Sequence, residues 1–128
     1  MRYNLRTTFK AIAAIFVLVF ALSTLTACAD QKMDMSPVTA VIDVRTPAEI
    51  AETGHLEGAL TFDWQGSDFA AQAETLDKAG DYVVYCRSGN RAGQAIAWME
   101  QNGFTGKLTN GGGLADAESL TGLAVVNG

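Results

Sequence analysis

A thiol, two guanidinium groups and a glycine fall within six consecutive residues, Cys86-Arg87-Ser88-Gly89-Asn90-Arg91. They follow Tyr82 to Tyr85 (YVVY), the densest β-strand signal in the chain, and precede a helical pattern that starts at Arg91. In an open α/β sheet, ligands bind at this place, outside the carboxyl end of a strand. Consecutive backbone N–H groups can converge there on the Cys86 sulfur. Gly89 permits the positive φ of a tightly curled loop, and the free amides of the following helix add positive potential. Together these features lower a thiol below its free pKa of about 8.5 and favour an anion beside it. A cysteine after an apolar strand is otherwise a small buried hydrophobe, but no apolar residue occupies the next five positions. The loop is built for a nucleophilic thiolate and an anionic substrate.

The elements that must position this loop alternate between strand and helix. Val38 to Val44 is β-branched and almost continuously apolar, as in a strand buried on both faces of a parallel sheet. Thr46-Pro47-Ala48-Glu49 opens a short helix with a capping box and with proline at the first helical position, and Gly54 ends it. Gly58 to Phe62 reads as a second strand. Ser67 or Asp68 caps a helix running to Lys78, with Phe69, Ala73 and Leu76 on one side. Ala92, Ala95, Ile96 and Met99 share a face of the helix from Arg91 to Gln101, closed by Asn102-Gly103. Lys107 to Thr109 is a last strand, and Gly111-Gly112-Gly113 leads into a helix from Leu114 to Leu120. The expected fold class is α/β, a small, mostly parallel sheet with helices on both faces.

The N-terminus is of another kind. Arg2, Arg6 and Lys10 precede an uninterrupted apolar run of twelve residues, Ala11 to Leu22. That run has the length of a signal-peptide core and falls short of the roughly 20 apolar residues of a membrane span. Leu25-Thr26-Ala27-Cys28 resembles a bacterial lipobox, which implies a signal peptide over 1–27, lipidation of Cys28, and a cell-envelope, periplasmic location on a membrane anchor. Residues 28–37 read as a polar tether and 38–128 as the folded domain. Residues 28–128 carry six Lys and Arg against 14 Asp and Glu, a net charge of -8. This acidity argues against a nucleic-acid partner. The length excludes two separate cores, and two cysteines are too few for a disulfide-stapled miniprotein or a four-cysteine zinc site. With Cys28 lipidated or removed, Cys86 is a lone thiol.

At its chemically equipped positions the chain is similar to the rhodanese sulfurtransferases. The resemblance is carried by CRSGNRA at 86–92, by Asp43-Val44-Arg45 with Pro47-Ala48-Glu49, by Gly54-His55-Leu56-Glu57-Gly58-Ala59, and by Leu108 to Gly112. It implies that Cys86 is the nucleophile, taking a sulfane sulfur from thiosulfate as a persulfide and handing it to cyanide or a thiol. The backbone amides of Arg87, Ser88, Gly89, Asn90 and Arg91 would cradle the outer sulfur, and the Arg87 and Arg91 side chains would orient the sulfonate. Sulfite departs as a stable anion, so neither general base nor general acid is needed. The family's last helix usually carries a tryptophan where Leu114-Ala115-Asp116-Ala117 stands here.

Asp43 and Arg45 are expected to ion-pair under the site, with Glu49 as a further partner of Arg45 besides its capping role. His55 is read as fixing the turn it sits in. Trp64 and Trp98 are core aromatics before they are pocket walls. Asp63 and Asp68 have no neighbouring ligand residues, so neither a metal nor a cofactor is inferred; the protein is expected to be a monomer. Two alternatives stand beside sulfur transfer. A cysteine-dependent phosphatase or arsenate reductase uses a related loop, but its signature places five residues between cysteine and arginine, and four separate Cys86 from Arg91. The other is a non-catalytic, sulfur-binding or sensing module of the envelope.

Overall fold

The computed structural model describes residues 32–127; the leader, the lipobox and Cys28 lie outside the described residues. Strand β1 (Val38–Asp43) pairs in parallel with β3 (Leu60–Thr61) on one side and β4 (Asp81–Tyr85) on the other, and β4 pairs in parallel with β5 (Leu108–Asn110). The order β3-β1-β4-β5 makes β1 and β4 the inner strands. Inner strands bury both faces, which is why these two segments are apolar at nearly every position.

Side-chain alternation along β4 splits the core in two. Tyr82, Val84 and Cys86 point to one face with Ile42 and Val44, where helices α2 (Phe69–Glu74) and α3 (Asn90–Gln101) contribute Phe69, Ala73, Ala92, Ala95 and Met99. Val83 and Tyr85 point to the other with Val41, where Leu56 and Ala117 of helix α4 (Leu114–Thr121) cover them. Helices thus flank both faces, as expected. Helix α1 (Pro47–Thr53) buries no residue and is held by its ends: Thr46 Oγ1 accepts from the Glu49 amide at 3.3 Å, and Glu49 Oε2 accepts from the Thr46 amide at 3.0 Å. This is the expected capping box.

Three local expectations change. Helix α2 stops at Glu74, short of Lys78, and its first residue is uncapped, since Asp68 has φ and ψ of -100° and -4° and its side chain makes no cap hydrogen bond. The Thr75 hydroxyl then donates to the Gln72 carbonyl at 2.6 Å, competing with continuation of the helix; Leu76 still packs on the core. The strand read over Gly58 to Phe62 contracts to Leu60–Thr61. An unanticipated antiparallel ribbon joins β2 (His55–Leu56) to β6 (Val125–Val126), since two-residue strands carry no readable period. Residues 33–37, read as tether, dock on the second core: Met33 and Met35 pack there, and the Met33 amide donates to Leu120 O at 2.8 Å.

Candidate active-site loop

The loop starts where β4 ends. The Cys86 amide donates to Gly112 O at 3.0 Å and the Gly111 amide to Val84 O at 2.8 Å, so the triple-glycine segment continues the β5 ladder alongside it. Gly89 is the N-cap of α3 with φ +94°, and no side chain caps this helix. The sulfur stands in for the missing cap: the Gly89 amide donates to Cys86 Sγ at 3.0 Å. Burial pushes the Cys86 thiol up, yet the backbone amides of Ala92, Ser88, Gly89 and Arg91 outweigh it and hold the thiol below its ordinary value of 9.0.

Asn110 clamps the loop from outside. Its Nδ2 donates to Gly89 O at 2.9 Å while its Oδ1 accepts from the Gly112 amide at 2.9 Å. The close approach of the two loops requires glycine at position 113, where a Cβ would lie 2.5 Å from Arg87 O. Asn110 went unnoticed in the sequence, although Asn before three glycines is an Asx-turn signal.

The structure separates the two arginines. Arg87 is exposed, and among the described residues no carboxylate lies within ion-pairing distance of it. Arg91 instead donates from both terminal nitrogens to the two oxygens of Glu49, each at 2.8 Å. This corrects the pairing of Glu49 with Arg45 and commits both terminal nitrogens of Arg91 to a carboxylate. Hydrogen bonding from Arg91 is the main reason the Glu49 carboxyl falls from 4.5 to about 2, against a smaller opposing effect of burial. Ser88 and Asn90 are exposed on the loop rim, and Cys86 itself is inaccessible to solvent.

Asp43 and Arg45 form a buried ion pair, with Arg45 Nη2 2.7 Å from Asp43 Oδ2 and Nε 3.0 Å from Oδ1. Arg45 also donates to Thr53 Oγ1 at 2.8 Å and to Gly54 O at 2.7 Å, tying the end of β1 to the end of α1. Burial alone would lower the Arg45 pKa, and the hydrogen bond and charge of Asp43 raise it instead. Its guanidinium lies 5.7 Å from the ring centre of Tyr85, whose hydroxyl accepts from the Leu56 amide at 3.0 Å.

Two cavities flank α1. One, of about 240 Å³, is lined by Arg45, Glu49, Glu52, Thr53, Arg87, Leu114 and Ala115. The other, of about 370 Å³, is lined by Arg45, Pro47, Ile50, Ala51, His55, Thr61 and Asp63. His55 therefore sits in the β2 ribbon, its Nδ1 2.8 Å from Leu56 O, and lines a different cavity from Arg87. Trp64 and Trp98 pack edge-to-face on either side of Phe69, at 4.9 and 5.4 Å, and belong to the core boundary.

Comparison with known proteins agrees with this arrangement. The family model for the rhodanese-like domain matches residues 25–116. A sulfurtransferase of Allochromatium vinosum is 37% identical over 86 residues, 67% of this chain and 77% of that protein. The putative sulfurtransferase YtwF of Bacillus subtilis is 33% identical over 90 residues, covering 70% and 84%. The thiosulfate sulfurtransferase PspE of Escherichia coli is 32% identical over 75 residues, covering 59% and 70%. Among solved structures, a rhodanese with anions from E. coli superposes with a TM-score of 0.55 at 30% identity, covering 70% of this chain and 98% of that one. The chain belongs to the rhodanese-like domain family.

Proposed function

We propose that this rhodanese-like sulfurtransferase takes the sulfane sulfur of thiosulfate onto Cys86 and passes it to cyanide or a thiol. The observation that carries the reading is the set of backbone amides converging on the Cys86 sulfur, which favour its anion in spite of complete burial. The thiolate attacks the outer sulfur of thiosulfate, a new S–S bond forms, and the old one breaks with its electron pair on sulfite. The persulfide left on Cys86 is again an anion, so the same amides serve both states. Arg87, exposed and without a carboxylate partner among the described residues, meets the sulfonate; Arg91, locked to Glu49, holds the first turn of α3 in place. Relatives named sulfurtransferases, one of them a thiosulfate sulfurtransferase, support the same assignment.

The test is mass spectrometry of the full-length protein, solubilised in mild detergent, after incubation with thiosulfate. Gain of one sulfur atom, absent in Cys86→Ser and discharged by cyanide, is the expected result. Absence of the adduct overturns the reading, and phosphate-ester hydrolysis without it points to the phosphatase alternative. The leader and lipobox support a further proposal, that the enzyme is carried on a lipid at Cys28 in the bacterial envelope. Fatty-acid labelling lost in Cys28→Ser checks it.

A further inference from the structure

The cavity of about 240 Å³ beside Arg87 is smaller than a drug-sized site and carries charges of both signs. Two of its four charged groups are already satisfied. Arg45 is saturated by Asp43, Thr53 and Gly54, and Glu49 by Arg91 and Thr46. The remaining two are Glu52 and Arg87, both exposed and both without an ion-pair partner among the described residues. Glu52 stands on α1, and Arg87 is part of the loop that bears the nucleophile. Between them the wall is short or apolar, formed by Thr53, Leu114 and Ala115.

A molecule complementary to this wall is small and has one cationic and one anionic end. We propose that the cavity selects the sulfur acceptor, and that this acceptor is a small thiol bearing an ammonium group, held by Glu52, and a carboxylate, held by Arg87. The inference rests on the sulfurtransferase reading and names its second substrate. In the transfer step the acceptor thiolate attacks the outer sulfur of the Cys86 persulfide. The S–S bond breaks with its electron pair returning to Cys86, and the acceptor leaves as a persulfide protonated by solvent. No external oxidant or reductant enters, because the transferred sulfur exchanges one sulfur partner for another.

The experiment uses full-length protein in detergent, loaded with thiosulfate, confirmed to carry the extra sulfur by mass, and freed of donor. Discharge is followed with cysteine, with 3-mercaptopropionate, which lacks the ammonium, and with cysteamine, which lacks the carboxylate, at matched thiolate concentrations. Cysteine is expected to react with a kcat/KM about tenfold above either single-charge thiol, as one charge-assisted contact implies. Glu52→Gln brings cysteine down to the level of 3-mercaptopropionate. Ala115→Phe, which fills the cavity, abolishes the preference by a route independent of Glu52. Equal rates for the three thiols in the parent protein, or a preference that survives both substitutions, overturn the proposal. Failure to load sulfur in the first step is a separate result, which sinks the sulfurtransferase reading and this inference with it.

Discussion

Arg91 and Glu49 lie 42 residues apart and meet through two parallel hydrogen bonds of 2.8 Å, joining the first turn of α3 to the first turn of α1. Glu49 Oε2 also accepts from the Thr46 amide and hydroxyl, each at 3.0 Å, so a single carboxylate closes a capping box and fixes the last residue of the loop from Cys86 to Arg91. A bidentate pair this well satisfied is a brace. Arg87, by contrast, is exposed and has no ion-pair partner among the described residues.

Glu49→Gln is expected to weaken the fold and to change its response to acid. With the folded carboxyl at about 2 and its ordinary value at 4.5, Glu49 stabilises the protein fully above pH 4.5, and that stability is lost as pH falls towards 2. Screening at a side chain 24% exposed reduces the contribution to about 1–2 kcal/mol. Denaturant titrations at pH 7 and pH 3 check this: the variant should lose stability at pH 7 and show a flatter decline between pH 4.5 and 2.

The two loop arginines should fail differently. Arg87→Ala removes an exposed cation and is expected to raise the KM for thiosulfate about tenfold, with a stability change of about 0.5 kcal/mol or less. Arg91→Ala strands Glu49 and is expected to cost about 1–3 kcal/mol of stability. Steady-state kinetics and thermal melts on both variants separate a binding residue from a brace, and equal effects would contradict the assignment.

Gly89→Ala places a Cβ on a backbone with φ +94° and within 3.3 Å of Asn110 Oδ1 and Gly112 Cα. The left-handed conformation alone costs an L-residue about 1–2 kcal/mol. Because the Gly89 amide is the one 3.0 Å from Sγ, the strain should also move that donor and raise the thiol pKa. Thiolate absorbance followed against pH in parent and variant measures the shift.

The Cys86 thiol should ionise below pH 9.0 in the folded protein, and the burial of its sulfur should slow its reaction with bulky reagents. Iodoacetamide alkylation is therefore expected to rise with pH at a lower midpoint than in the denatured protein, and to a lower limiting rate. Since the folded thiol binds protons more weakly than the unfolded one, stability gains with pH between the lowered value and 9.0, and Cys86→Ser removes that gain.

What was legible in the sequence is local. The apolar density of β1 and β4, the capping box at Thr46 and Glu49, the face shared by Ala92, Ala95 and Met99, and the loop from Cys86 to Arg91 depend on neighbours within a turn or a strand, and they appear in the structure close to where they were read. The length of α2 was misjudged at its C-terminal end, where the Thr75 hydroxyl turns back onto the Gln72 carbonyl, a local competition with the helix that apolar spacing does not report. The ribbon of β2 with β6 is a pairing of segments 70 residues apart, too short to announce themselves. Pairing is where tertiary structure decided the site. Residue types alone left the two loop arginines equivalent and put Glu49 with Arg45; folding brought Asp43 and Thr53 to Arg45 and Glu49 to Arg91. A charge's role is set by its distance to other charges, and the chain acquires those distances only when α1 packs beside the loop after β4.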